Sequence, residues 1–190
     1  MFKHRTSLPL PIAAAILVAP PTETPRQAAT VLAGVTLTAV GEAIRIWGVH
    51  HIGVISRTRS DRLGPLVESG PFACVRNPLY IGNMLLWVGF AVAAGVLWLA
   101  PVAFALLAVE YHWIVRWEEA LLVERRGDEY REYARRVPRW IPRIRFWGRS
   151  RLRPHSVPTP SPIRATIFSE RGTLIAIAAG YWLLWLKARF

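Results

Sequence analysis

Cysteine is nearly missing: among 190 residues there is only Cys74. A single thiol excludes an intrachain disulfide framework and any Cys-based zinc cage. No base stands at a recognisable spacing from Cys74, so it reads as a small semi-buried filler rather than a nucleophile. A Gly-x-Gly pair occurs nowhere, which removes the glycine-rich fingerprint of soluble dinucleotide-type folds. Acidic residues are scarce, 12 Asp+Glu against 24 Lys+Arg, for a net charge of +12. A basic balance suits nucleic acid, anionic lipid, or the cytoplasmic loops of a membrane protein. The charges cluster between apolar runs, which favours the third and leaves no nucleic-acid role expected.

What is present is apolar and arranged in blocks. The chain is 53% hydrophobic and 11% aromatic, with nine Trp. This predicts an all-α, polytopic transmembrane helical bundle of about five membrane helices. The first apolar segment, Leu8 to Pro20, is broken by Pro9 and Pro11 and is short for a span. No small-x-small cleavage site follows, so it reads as a short, tilted or partly inserted helix rather than a signal peptide. After the turn at residues 20–25, Thr24 and Pro25 are placed to start a helix running from about Gln27 to Ile55. That helix carries Glu42 and Arg45, three apart and on one face. Ionisable residues inside a span face a bundle interior or a polar cavity. A structural ion pair is the first reading of the two and a substrate contact the second. His50 and His51 are adjacent, diverge on a helix, and read as interfacial rather than metal-binding. Residues 56–69 form a basic loop. From Leu79 to Ala94 and from Val96 to about Val115 the chain reads as a helical hairpin turning at Gly95.

Two blocks carry the chemistry. The first runs from Gly70 to Asn83 and joins the basic loop to the hairpin. It places Arg76, Asn77, Pro78, Tyr80 and Gly82 at a helix N-terminus, where anionic groups are favoured. The second follows the hairpin: Glu118 and Glu119 beside Trp113 and Trp117, a break at Gly127, then a helix with Tyr130, Tyr133, Ala134 and Val137 at helical spacing, stopped by Pro138. Beyond it, residues 139–153 are strongly basic and suit anionic phospholipid headgroups. A Pro-rich linker and a last apolar helix from Thr173 to Leu186 complete the chain. The expected division is a core over 1–150, a basic linker over 151–170 and a C-terminal membrane helix over 171–190. With the N-terminus in the cytoplasm and five spans, nearly all Lys and Arg fall on the cytoplasmic side. Both blocks then share that face.

Gly-Pro-Phe-x-x-Val-Arg-Asn-Pro-Leu-Tyr-x-Gly, an apolar hairpin, Glu-Glu-x-x-Leu, and Gly-x-x-Tyr-x-x-Tyr-x-x-Arg-Val-Pro-x-x-Ile-Pro together resemble the integral membrane methyltransferases. That superfamily includes isoprenylcysteine carboxyl methyltransferases and phospholipid N-methyltransferases. The resemblance covers roughly residues 40–142. It implies S-adenosylmethionine bound on the cytoplasmic side of a bacterial inner membrane and a membrane-embedded lipid or lipidated acceptor. Matched residue by residue, Arg76, Asn77, Pro78, Tyr80 and Gly82 fall on its first cofactor motif, and Glu118 and Glu119 on its acidic pair. Tyr130, Tyr133, Arg136 and Pro138 fall on its C-terminal motif. The implied catalytic set is Arg76, Asn77, Glu119 and Arg136, with Glu42, Arg45, Tyr133 and Arg136 as candidate substrate contacts. Many relatives carry His where this chain has Asn77, and Asn cannot act as a general base. A carboxylate acceptor, and an amine deprotonated by a glutamate, therefore both stay open. Two other readings compete: a sterol-reductase-like enzyme using NADPH in a similar hairpin site, and a non-enzymatic membrane protein that binds anionic lipid.

Overall fold

The structure is a computed structural model that describes residues 8–22, 27–53, 66–143 and 160–189. The basic loop around Arg57, Arg59 and Arg62, most of the 139–153 segment, and the Pro-rich stretch up to residue 159 lie outside the described residues. Six α-helices and no strand occur among the described residues: α1 (Pro9–Val18), α2 (Ala28–Ile52), α3 (Pro78–Ala93), α4 (Leu99–Arg126), α5 (Asp128–Arg136) and α6 (Ile163–Lys187). A 3-10 turn, Gly70–Ala73, precedes α3.

The breaks follow local chemistry. Pro78 stands as the first residue of α3, where its missing N–H costs nothing and its fixed φ suits a helix start. Gly127 ends α4 with φ 56°, a conformation that costs a side-chain-bearing residue about 1–2 kcal/mol. Pro138 follows the end of α5. Two helices, α2 and α4, are long and apolar enough to cross a membrane among the described residues. At 1.5 Å per residue α1 and α3 reach about 15 and 24 Å, short of a hydrocarbon core of about 30 Å. The last helix differs from expectation. It begins at Ile163 rather than Thr173, so residues 163–170 of the expected linker are helical.

The chain divides into two compact units. The first comprises residues 1–42, 83–112 and 173–190; the second comprises 43–82 and 113–172. In the first unit α2 and α3 meet backbone to backbone. A Cβ on Gly89 would stand 2.7 Å from the Thr38 backbone nitrogen and 2.8 Å from the Gly34 carbonyl oxygen. Small residues at such crossings let membrane helices approach closely. The Tyr181 hydroxyl of α6 lies 2.8 Å from Thr38 Oγ1, and its ring sits 5.0 Å from that of Phe90. Lys187 donates to the carbonyls of Ile16 and Ala19, each at 2.6 Å, satisfying the C-terminal end of α1.

In the second unit Arg45 of α2 donates to Glu170 of α6 at 2.6 Å, with the Glu170 side chain fully buried. The polar face carrying Arg45 is thus answered by a carboxylate far along the chain. Large apolar side chains face outward along the long helices, among them Leu32, Phe104, Val109, Phe168, Ile175 and Trp182. A water-soluble surface does not display apolar rows of this kind; a lipid-facing one does.

Candidate functional site

The first block and the segment after α5 are stitched together inside the second unit. Arg76 N–H donates to the Pro138 carbonyl at 2.9 Å, Arg143 N–H to the Cys74 carbonyl at 3.0 Å, and Asn77 Nδ2 to the Arg139 carbonyl at 3.2 Å. Beneath this seam Tyr130, Tyr133 and Val137 form a buried cluster packed by Leu66, Leu122, Val123 and Ala134. The Tyr133 hydroxyl donates to the Phe72 carbonyl at 2.8 Å, tying α5 to the 3-10 turn. Arg136 pairs with Glu68 at 3.1 Å on the same side.

The seam delivers two guanidiniums to one carboxylate. Arg76 Nη1 lies 2.9 Å from Glu119 Oε1, and Arg139 Nη2 lies 2.6 Å from Glu119 Oε2. Arg139 Nε also donates to both oxygens, at 3.2 and 3.1 Å. Glu119 is buried, and Arg76 keeps a buried Nε with no hydrogen-bond partner. These contacts push the Arg139 guanidinium above its ordinary range, chiefly through the hydrogen bonds it donates to Glu119. The Tyr130 phenol is pushed up to about 12, first by burial and then by the Glu119 charge, with the Arg76 hydrogen bond opposing. Burial also raises Tyr133 and the Cys74 thiol. Cys74 is free and buried, as a filler residue would be.

A cavity of about 700 Å³ opens beside this triad. It is lined by one face of α4 (Arg116, Glu119, Ala120, Val123), by α5 (Asp128, Tyr130, Arg131, Ala134, Arg135), and by Arg76 and Arg139. That volume falls within the range of about 300–1,000 Å³ that accommodates a cofactor-sized molecule. Of the residues singled out from sequence, Arg76 and Glu119 line it. Asn77 is spent on the seam, and Pro78 packs against the α2 face at Gly48. The Tyr80 hydroxyl donates to both oxygens of Glu118, at 3.0 and 3.1 Å, as a separate pair. Tyr133 and Arg136 support α5, and Arg45 is held by Glu170. Gly82, Glu42 and Arg45 are not among the lining residues. Sequence reasoning missed Arg116, Arg135 and Arg139. The signal for the first was its i, i+3 spacing to Glu119; Arg139 and Arg135 looked like two more members of a basic run.

A cofactor bearing a carboxylate and an ammonium fits this donor set. The orphaned Arg76 Nε–H and the arginine-rich wall suit the carboxylate; with both Glu119 oxygens taken by Arg76 and Arg139, Asp128 is the lining carboxylate left for the ammonium or hydroxyls.

The family described as phospholipid methyltransferase matches residues 29–129. A nickel-cobalt-cadmium resistance protein, NccN, of Alcaligenes xylosoxydans xylosoxydans is 33% identical over 111 residues, 58% of this chain and 47% of that protein. A cobalt-zinc-cadmium resistance protein, CzcN, of Cupriavidus metallidurans is 32% identical over 114 residues, 60% of this chain and 48% of that protein. The chain thus spans about half the length of these curated relatives. No solved structure matches.

Proposed function

The chain belongs to the phospholipid methyltransferase family, and from that premise we propose that it is an S-adenosylmethionine-dependent methyltransferase acting on a membrane-embedded lipid or lipidated substrate. The observation that carries the reading is the meeting of Arg76 and Glu119 at 2.9 Å in a cofactor-sized cavity. They come from the two blocks that resemble the methyltransferase motifs. Arg76 and Arg139 hold the anionic end of the cofactor, and Glu119 keeps the two guanidiniums in place. Pro78 and Asn77 position Arg76 by fixing the start of α3 and the seam. Tyr80, Gly82, Glu118 and Arg136 support the surrounding backbone and helices. When bound, S-adenosylmethionine supplies an electrophilic methyl group. The protein's own contribution is alignment and exclusion of water, a kind of effect worth up to about 7–11 kcal/mol.

The proposal includes a multi-pass membrane protein of about five helices. The core covers residues 1–150, and the C-terminal helix packs on it through Tyr181, Lys187 and the Arg45–Glu170 pair. The cofactor site faces the cytoplasm of a bacterial inner membrane, with the basic segments against anionic headgroups. Charge asymmetry between loops supports that orientation. Calorimetric titration of detergent-purified chain with S-adenosylhomocysteine tests the reading, beside Glu119→Gln. Micromolar binding that disappears in the variant supports it; folded protein with no binding removes it.

A further inference from the structure

Two tyrosines stand three apart on α5 and are equally buried, yet only one has spent its proton. Tyr130 and Tyr133 are each 3% exposed, with ring centroids 5.9 Å apart. The Tyr133 hydroxyl donates to the Phe72 carbonyl at 2.8 Å, so its work is internal to the fold. The Tyr130 hydroxyl takes a hydrogen bond from Arg76, and no described residue accepts its own O–H. Of the five tyrosines in the chain, Tyr130 alone lines the cavity. Its ring belongs to the apolar cluster with Tyr133 and Val137, so the hydroxyl is the part that reaches the cavity. Buried polar groups are nearly always paired. An unspent phenol at a cavity wall therefore points to a ligand that accepts a hydrogen bond.

The neighbouring arginine is in the same condition. Arg76 spends Nη1 on Glu119 at 2.9 Å, and its Nε is buried with no hydrogen-bond partner. Glu119 has nothing left for either donor, because Arg139 also engages both of its oxygens. Two arginines share that one carboxylate, so the cluster keeps one positive charge. Two unspent donors beside an uncompensated cation fit a group with two acceptor oxygens and one negative charge. These inner atoms set the preference, rather than the exposed side chains of Arg116, Arg131 and Arg135. Burial pushes the Tyr130 phenol up to about 12, so it stays a donor at neutral pH. S-adenosylmethionine carries a single anionic group, its carboxylate.

Resting on the methyltransferase reading, we propose that Tyr130 is a cofactor-binding residue: its O–H and the Nε–H of Arg76 each hold one oxygen of the cofactor's carboxylate. That carboxylate neutralises the charge left over by the Arg76–Glu119–Arg139 cluster. The contact lies at the amino-acid end of the cofactor, so it serves affinity and placement and takes no part in bond making. The hydroxyl binds while the ring packs, and Tyr130→Phe separates the two by removing the first and keeping the second.

The test uses detergent-purified full-length chain and two probes. One is S-adenosylhomocysteine; the other is S-adenosyl-3-thiopropylamine, the same molecule without its carboxylate. Calorimetric titration of the unaltered chain comes first. Folded protein that binds neither probe removes the methyltransferase reading and the proposal with it. Equal or reversed affinities leave that reading standing and overturn the proposal. The expected result is a preference for S-adenosylhomocysteine of at least about tenfold, the size of effect that hydrogen bonds to a charged group produce. In Tyr130→Phe, S-adenosylhomocysteine is expected to bind at least about fivefold more weakly, with the affinity of the decarboxylated probe kept. Unchanged affinity for both probes overturns the proposal, and so does an equal loss for both, which marks Tyr130 as structural. A spectroscopic measurement on the unaltered chain decides if the variant does not fold. With the tyrosines isotope-labelled at Cζ, S-adenosylhomocysteine should shift one tyrosine resonance that the decarboxylated probe leaves in place. No shift, or the same shift with both probes, overturns the assignment.

Discussion

Arg76 is the residue on which the site turns. Its backbone N–H closes the seam, its Nη1 meets Glu119, and its buried Nε has no protein acceptor. Arg76→Ala removes the side-chain contacts but keeps the backbone one, and Arg139 still holds Glu119. Turnover is expected to fall more than a hundredfold with the circular dichroism spectrum and elution volume preserved; normal turnover would sink the site assignment. Tyr133 is the structural counterpart. Tyr133→Phe leaves the buried Phe72 carbonyl without its donor, a loss of about 1–3 kcal/mol, seen as a lower Tm. Tyr130 sets an alkaline limit. Its folded pKa of about 12 lies above the ordinary value of 10, so the folded state keeps a proton that the unfolded chain releases. Its contribution is fully present below pH 10 and drains away as pH rises toward 12, at about 1.4 kcal/mol per pH unit. Thermal melts between pH 9 and 12 check this, and Tyr130→Phe should flatten that part of the profile.

At the level of the helices, close approach and buried charge decide which changes matter. Gly89→Ala brings a methyl against the Thr38 backbone, which cannot give way as a flexible side chain would. Overpacking of this kind costs about 1–3 kcal/mol, and the Tm of the detergent-purified variant should fall accordingly. Arg45 and Glu170 staple α6 to α2 through a fully buried carboxylate. Removing one partner leaves a stranded charge, with a loss of about 3–5 kcal/mol. Glu170→Ala should therefore destabilise more than the double change Arg45→Met with Glu170→Met, and a protease-protection assay on α6 measures it. The same pair shows where sequence legibility stops. Pro78, Gly95, Gly127 and Pro138 announce their breaks because turn and cap chemistry is local. The start of α6 did not announce itself: Arg164, Glu170 and Arg171 look like a polar linker until Glu170 finds Arg45, 125 positions away. Arg139 escaped for a related reason. It owes its importance to Glu119, on α4 before the Gly127 break, and nothing in its neighbours marks that.

For the whole molecule, the sequence pattern made the class, the hairpin and the pairing of the two blocks legible. The apolar rows and the positive-inside bias act over long windows and survive local ambiguity. Orientation is the prediction at this scale. Reporter fusions at the N-terminus should report the cytoplasm, and fusions after α6 the opposite side; both termini on one side would require an even number of spans. The seam also dictates an order of manufacture. Arg76 and the start of α3 are made about 60 residues before Arg139 and Arg143, whose backbone contacts with positions 74–77 close the seam. In chain order Arg76 and Glu119 both precede Arg139, the second arginine of the clamp. A chain truncated before residue 138 keeps α3, α4 and α5 but lacks the contacts that close the seam, so the Arg76–Glu119–Arg139 cluster is complete only after the segment following α5 has folded back.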